Sequence, residues 1–300
     1  LAVVMARETA AALSFAQRER LRFVESTLFW EGAFTRARVH DVFGISANHV
    51  TSDLRWYEDA YPKSLVLDAR RRRYVAGPRF KPRFASDSPA EYLALQLAYA
   101  ESGSDLVVPL LGGGAPIATE AIPSPAHGID RTVLQHVVQA IRNGTGIDVV
   151  YHSMRADAPA RRTLWPFALV HTGLRWHARA FDDRSGQFRT FALQRMEAPQ
   201  AVVTRSPQPT TDDAAWMTTT SVVVVPHPGL NEHQRKVVAR EFGMKATAAG
   251  PEWAPTVRHA LVGHFARRYE LDVREPRLPQ HRVVLKDPEK LRPLFLPESS

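Results

Sequence analysis

Apolar residues recur at helical spacing over residues 15–30, where Leu21, Val24 and Leu28 share one stripe. Arg18, Arg20 and Arg22 lie away from most of that stripe. A second, short helix is predicted from Thr35 to Val42, with Thr35 as its N-cap. Gly44 suits the left-handed position that ends it. Ser46 can cap a third helix running to about Tyr61, where Pro62 stops it. At about 100° per residue, Val50, Leu54, Tyr57 and Tyr61 fall close together and form a core face. Asn48, Ser52 and Arg55 fall opposite, and His49 lies to the side. Two short helices around a glycine turn, followed by a third, make a helix-turn-helix pattern. Asn, Ser and Arg at the start of a helix offer donors for base edges and phosphates, so Ser46, Asn48, His49, Ser52 and Arg55 are candidate DNA contacts. An ordinary polar helix face is the plainer alternative.

The next stretch, SLVLDARRRRYVAGPRF, reads as two strands, Leu65 to Leu67 and Tyr74 to Ala76, around a tight turn. Arg70, Arg71, Arg72 and Arg73 sit at its tip, which suggests a wing lying against a phosphate backbone; a solvated loop is the alternative. Ser88, Pro89 and Glu91 then start a helix that runs to about Gly103. Tyr92, Leu93, Leu95, Leu97 and Tyr99 make it apolar on most sides, which demands burial in the core or against another chain. LLGGGAP breaks it without the residues of a phosphate loop. Another helix fits Asp130 to Arg142.

Residues 146–196 alternate at period two in four runs, GIDVVYHS, RTLWPFALV, LRWHARAF and QFRTFALQRM. Short antiparallel strands at this density suggest a small barrel. Alternation puts Tyr151 with Ser153, His177 with Arg179, and Arg189 with Phe191, Leu193 and Arg195. If those faces converge, Tyr151, Ser153, His177, Arg179, Arg189 and Arg195 form a cationic site for an anionic or phosphate-bearing ligand, with few carboxylates to neutralise it. A structural role for Tyr151 and Arg195 is the alternative. Beyond residue 206, a strand from Val222 to Val225, helices over Glu232 to Phe242 and Trp253 to Tyr269, and a strand at 281–285 suggest a small α/β module. His227 and His233 flank a Pro-Gly turn with no carboxylate at a ligand spacing, so no metal site is expected. Arg267 and Arg268 read as surface charge, or as contacts to a partner subunit or ligand.

Charge sharpens this division. The net charge of +8 is distributed as +6 over residues 1–85, −4 over 86–142, +4 over 143–205 and +2 over 206–300. Two basic blocks around an acidic separator favour polyanion partners, although charge alone is equally consistent with a solvated surface. The chain has no cysteine, hence no disulfide and no thiol nucleophile, and a cytoplasmic location is expected. No run of about 18 apolar residues predicts a membrane span, and LAVVMARETAAALSF lacks the basic start of a secretory signal. GxSxG and HExxH are absent, and Ser153 with His177 has no evident orienting acid, so neither catalysis nor a cofactor is expected. A nucleotide- or nucleic-acid-processing enzyme using the basic pocket is the alternative, and a binding module without any ligand is a third.

YHS, Pro166, GLRWHARAF and FRTFALQRM together resemble the WYL domain, an Sm-like β-barrel. Trp176, His177 and Ala178 occupy the place of the Trp-Tyr-Leu triplet, from which His177 and Ala178 depart. The RWHxRAF form resembles one subgroup, the BrxR/CapW-type regulators associated with bacterial anti-phage defence operons of the BREX and CBASS kinds. FGISANHVTSDLRWYE and RRRRYVAGPRFKP resemble that subgroup's winged helix-turn-helix, and VVPHPGLNEHQRKVVAREFGM its C-terminal WCX domain. The resemblance implies a multidomain α+β chain: a winged helix-turn-helix over 1–85, a helical linker and dimerisation segment over 86–142, a WYL barrel over 143–205 and a WCX domain over 206–300. It further implies a homodimeric repressor on an inverted-repeat double-stranded DNA operator. The implied effector is a nucleic acid or nucleotide held by the same Tyr151, Ser153, His177, Arg179, Arg189 and Arg195.

Overall fold

The computed structural model describes residues 13–102, 117–122 and 128–295. The chain divides into two compact units, 1–125 and 126–300. The LLGGGAP segment lies outside the described residues.

In the first unit, α1 spans Phe15–Glu31, α2 Arg36–Phe43 and α3 Ala47–Ala60. Ser14, Thr35 and Ser46 cap them, each side chain accepting a backbone N–H of the first turn. Gly44 ends α2 at φ 61°, a left-handed conformation that glycine adopts without a Cβ penalty. A three-stranded antiparallel sheet in the order β1-β3-β2 consists of β1 (Ala33–Phe34), β2 (Leu65–Asp68) and β3 (Arg73–Ala76). The two residues of β1 are too few for an alternation to show in the sequence. Leu21, Val24, Leu28, Phe34, Val39, Val50, Leu54 and Tyr57 fill one core, so the predicted inner face of α3 is buried. Helix α4 (Pro89–Ser102) belongs to this unit: Tyr92 stacks on Trp30 of α1 with ring centroids 5.0 Å apart. Its apolar surface is only partly covered, with Leu93 and Leu97 exposed.

Two polar links bind this unit that the sequence pattern leaves out. Arg20 of α1 donates Nε to Asp53 of α3 at 2.6 Å, with both side chains largely buried. Glu25 of α1 is fully buried. Tyr57 donates its hydroxyl to Glu25 Oε1 at 2.6 Å, and the backbone N–H groups of Arg83, Phe84 and Ala85 donate to Oε2 at 2.6, 2.6 and 3.0 Å. Burial and the adjoining carboxylate hold the Tyr57 phenol well above its usual pKa.

The second unit begins with α5 (Arg131–Asn143), whose Val133, Val137 and Ala140 pack into the core of a five-stranded antiparallel sheet. The segment read as one linker over 86–142 therefore divides, α4 joining the winged unit and α5 the sheet. The sheet order is β7-β6-β5-β4-β8, with β4 Thr145–Tyr151, β5 Ala160–His171, β6 Trp176–Asp182, β7 Gln187–Ala192 and β8 Met196–Arg205. The edge strands β7 and β8 are consecutive, joined by a three-residue 3₁₀ turn, Leu193–Arg195. In a flat sheet four spacings of about 4.8 Å would separate them, farther than so short a link reaches. The sheet must therefore curl. Tyr151 of β4 closes it: its hydroxyl accepts the Ala192 N–H at 3.3 Å, and its ring meets Phe191 edge-on at 5.1 Å. A Cβ at Gly146 would lie 2.8 Å from Trp165 Nε1, so glycine lets that indole pack and donate to the Thr204 carbonyl. β8 carries few buried side chains and Pro199, which is why alternation did not announce it.

The C-terminal module has its own core around Val224, Val238, Val262, Ala266, Val283 and Leu285. Of the strand expected at Val222 to Val225, Val224 and Val225 are strand, in β10 (Val224–Pro226), which pairs with β14 (Val283–Leu285); a separate strand, β9 (Thr219–Ser221), precedes it and pairs with β13 (Thr256–Arg258). β11 (Lys245–Thr247) and β12 (Gly250–Glu252) form a hairpin of their own. Helix α6 (Ala214–Met217) precedes β9, and α7 covers Glu232–Glu241. The helix expected from Trp253 starts only at His259, as α8 (His259–Arg268), because Pro255 disfavours helix before it and Thr256 and Val257 suit a strand. A last short helix, α9, spans Pro288–Leu291.

Candidate functional site

The first candidate surface is the outer face of α3 with the β2–β3 tip. Asn48, His49, Ser52 and Arg55 are all exposed on α3, opposite the buried Val50, Leu54 and Tyr57. Ser46 is also exposed, but its hydroxyl is engaged at the cap, accepting His49 N–H at 3.3 Å and lying 3.1 Å from His49 Nδ1. The carboxylate of Asp53, next to Ser52, points inward to Arg20, so the exposed face of the helix start carries no acid that would repel a phosphate. At the wing tip Asp68 Oδ1 accepts the Arg71 N–H at 3.1 Å, and Arg72 takes a left-handed φ of 51°. Arg70, Arg71 and Arg72 are exposed, and among the described residues none has a carboxylate partner. Arg73 differs: it is half-buried, 3.8 Å from Asp68, and helps to hold the turn. Three guanidinium groups, rather than four, are therefore displayed free of a carboxylate.

The second candidate surface lies on the barrel, and the six residues expected to converge there do not. Residues paired across antiparallel strands share a face. Ala178 pairs with Phe191 and Ala180 with Arg189, on the core side with Tyr151. His177 pairs with Ala192 and Arg179 with Thr190, on the other side. Tyr151 thus points into the core and closes the barrel, while Arg189 sits exposed at the rim of the core-side face. Both leave the expected pocket, because alternation orders residues within one strand but not the register between strands. The 3₁₀ turn also takes Leu193 and Arg195 off the strand, breaking their expected parity with Arg189. Ser153 follows β4, half-buried, its hydroxyl accepting the Arg155 N–H at 3.2 Å. The adjoining His152 N–H donates to the Arg195 carbonyl at 2.9 Å, which sets this loop beside Arg195.

His177 is buried, its ring centroid 5.2 Å from that of His264 on α8, a residue the sequence pattern did not single out. Its Nδ1 faces the Arg175 carbonyl at 3.2 Å, not a carboxylate, so no Ser-His-acid triad is assembled around it among the described residues. Burial, His264 and the cations Arg175 and Arg195 push the His177 pKa down to about 4, and burial with Arg267 and Arg179 lowers that of His264. Both rings are therefore neutral at pH 7 and can hydrogen-bond without adding charge. Among the described residues neither Arg175 nor Arg195 has a carboxylate partner. Arg179 does: Asp213 takes both its Nε and its Nη2 at 2.7 Å. The expectation of few carboxylates fails there, since Asp213 lies 34 positions away in sequence.

A pH dependence follows from His177. In the unfolded chain the imidazole gains a proton near pH 6.5, but in the folded chain only near 4. Between those values the unfolded state binds more protons, so stability is full above pH 6.5 and falls as pH drops towards 4. The loss expected is on the order of 2 kcal/mol. Urea midpoints at pH 7.5 and 5 should separate clearly for the parent and much less for His177→Gln; equal separations would contradict the assignment.

His227 is occupied structurally: Nδ1 accepts the Gly229 N–H at 3.0 Å and Nε2 faces the Pro276 carbonyl at 3.2 Å. Among the described residues no group of three or more His, Cys, Asp or Glu side chains could hold a metal ion. None of the described helices is long and apolar enough to cross a membrane.

Three family profiles match the chain in order. They are the BrxR transcriptional regulator winged helix-turn-helix domain over residues 16–98, the WYL domain over 132–201, and the BrxR transcriptional regulator C-terminal dimerization domain over 219–291. The chain is similar to proteins named DNA-binding transcriptional repressor CapW. That of Stenotrophomonas maltophilia is 34% identical over 232 residues, 76% of each chain. That of Pseudomonas aeruginosa is 31% identical over 283 residues, covering 93% of this chain and 92% of the relative. That of Escherichia coli strain KTE188 is 32% identical over 228 residues, covering 76% and 75%.

Proposed function

The chain belongs to the BrxR/CapW family of DNA-binding transcriptional repressors, and from that premise we propose how it binds DNA and how it lets go. It acts as a homodimer held by its C-terminal dimerisation domain, and as a regulator rather than an enzyme. Each protomer lays α3 in the major groove of one half of an inverted-repeat operator, with Asn48, Ser52 and Arg55 towards the bases and His49 at the flank. Arg70, Arg71 and Arg72 straddle the neighbouring phosphates. The observation that carries this reading is the exposed Asn/Ser/Arg face over the first turns of α3, where the acid Asp53 is turned inward to Arg20, in the same small domain as three guanidinium groups without carboxylate partners among the described residues.

Release follows from an anionic effector, a nucleotide or single-stranded nucleic acid, bound where His177, Arg195 and the Ser153 loop meet. Arg175 and His264 join that site, and Tyr151 and Arg189 do not. The effector lowers operator affinity only as far as it prefers the released arrangement. The genes controlled are those of an anti-phage defence operon of the CBASS or BREX kind.

The test is a footprint on the DNA upstream of the protein's own coding sequence, with and without single-stranded DNA. Two protected half-sites about one helical turn apart, or a multiple of that, are expected, and the protection should fade as the single strand is added. Protection confined to one half-site, or indifferent to the single strand and to nucleotides, would contradict the dimeric and the sensing parts respectively. Within a protected half-site, Asn48→Ala should lower discrimination at one or two base pairs by about 1–3 kcal/mol while leaving binding to random duplex in place. Uniform weakening across all sequences would mean that Asn48 touches backbone instead.

A further inference from the structure

Arg179 was expected among the ligand contacts, yet its guanidinium is fully engaged inside the protein. Asp213 accepts Nε and Nη2 in a bidentate pair, with side chains 7% and 2% exposed, and Thr190 Oγ1 accepts Nη1 at 3.2 Å. The same Asp213 caps α6: its Oδ1 accepts the Trp216 N–H at 3.1 Å. Trp216 in turn meets Phe167 edge-on at 5.6 Å, and Phe167 sits at the bulge of β5, between Pro166 and Ala168, which turns its ring out of the regular ladder. From the C-terminal side, Arg258 places its guanidinium 4.6 Å from the Trp216 ring centroid and donates Nη1 to the Trp216 carbonyl. Arg258 ends β13 and immediately precedes α8, the helix that carries His264. One short helix is thus gripped from the barrel by Arg179 and Phe167 and from the dimerisation domain by Arg258.

We propose that Arg179, Asp213 and Trp216 form a clasp that fixes the barrel against the dimerisation domain, and that simultaneous binding of two operator half-sites depends on it. Arg179 is a positioning residue and not an effector contact. In chain order the barrel stands between the DNA-reading domain and the dimerisation domain, so slack at this joint spreads the two reading heads over many separations. Two linked sites then lose effective concentration, while each head alone binds as before. This rests on the reading of the chain as a dimeric DNA-binding protein and is independent of the effector.

Removing one partner of the ion pair leaves a buried lone charge and destabilises the protein on that account alone. Arg179→Met with Asp213→Leu removes both charges at similar volume, and Trp216→Ala removes the central ring while leaving the Arg179–Asp213 pair intact. The full-length dimer of each variant should melt within a few degrees of the parent and exchange the amides of residues 213–218 faster. It should bind a duplex of the upstream DNA carrying the whole inverted repeat at least tenfold more weakly, and a duplex cut to one half-site within twofold of the parent. A purely structural role predicts that both duplexes lose affinity together in proportion to lost stability. That outcome overturns the clasp, as does undiminished binding of the whole repeat by variants whose 213–218 amides exchange freely. Exchange that stays at the parental rate in both variants overturns it too. A parent protein that binds neither duplex sinks the DNA-binding reading instead, and amide exchange alone then decides whether the clasp holds.

Discussion

Replacing Arg70, Arg71 and Arg72 together by glutamine is expected to weaken binding to every duplex, operator and random alike, by at least about a hundredfold near physiological salt. The three guanidinium groups stand at a tight turn whose shape does not depend on them. Asp68 holds the Arg71 amide and lies beside Arg73, and the β2–β3 ladder pairs Asp68 with Arg73 below the tip. Substitution should therefore remove charge without unfolding the wing. Each phosphate contact contributes about 0.9 to the slope of log affinity against log salt. A dimer that loses three contacts from each of two wings should lose about 5 from that slope. Arg73→Gln alone should act differently, loosening the turn and costing stability more than slope. Binding measured from 50 to 300 mM salt decides the matter. An unchanged slope in the triple variant would remove the wing from the DNA, and a large slope change from Arg73→Gln alone would reverse the division between displayed and holding arginines.

The winged unit was more legible in the sequence than the barrel, and the reason is the range over which each is specified. The inner and outer faces of α3 follow from one helical period within fourteen residues, and Val50, Leu54 and Tyr57 are buried as that period requires. The arginine tip is likewise local. Within each barrel strand the alternation was also legible: His177 and Arg179 do share a face. The pairing that sets Arg189 opposite Ala180, and not beside Arg179, is a matter of register, which one strand's pattern cannot carry. The 3₁₀ turn at Leu193–Arg195 and the bulge at Phe167 shift the count by fractions of a period that sequence alternation does not reveal. His264 came to His177, and Asp213 to Arg179, from a domain with no local signal for either encounter. The positive charge of the central block is therefore not gathered on one face: Arg179 serves packing against Asp213, and Arg189 lies on the face opposite Arg179.

The same limit concealed Glu25, a fully buried carboxylate of the winged unit. A glutamate at the edge of an arginine-rich helix reads as surface charge, yet it is fully buried and accepts four hydrogen bonds, from Tyr57 of α3 and from three consecutive amides at 83–85. One carboxylate thereby holds the segment leaving the wing against both α1 and α3. Glu25→Ala would leave four donors without their acceptor, each costing about 1–3 kcal/mol if it finds no other partner. Partial relaxation should bring the total to about 3–5 kcal/mol. Glu25→Gln keeps the shape but turns an amide NH₂ towards donors, so it should recover little of that loss. Amide exchange across residues 16–85 of the full-length protein is the suitable measurement, because the rest of the chain supplies an internal standard. Protection should fall throughout the winged unit in both variants and remain parental in residues 131–200. If Glu25→Gln exchanged like the parent, the carboxylate would not be the group that organises the segment. If only residues 83–85 lost protection, Glu25 would anchor the exit segment without supporting the DNA-reading helix. Operator affinity in that case should survive, and in the expected case it should fall with the stability of α3.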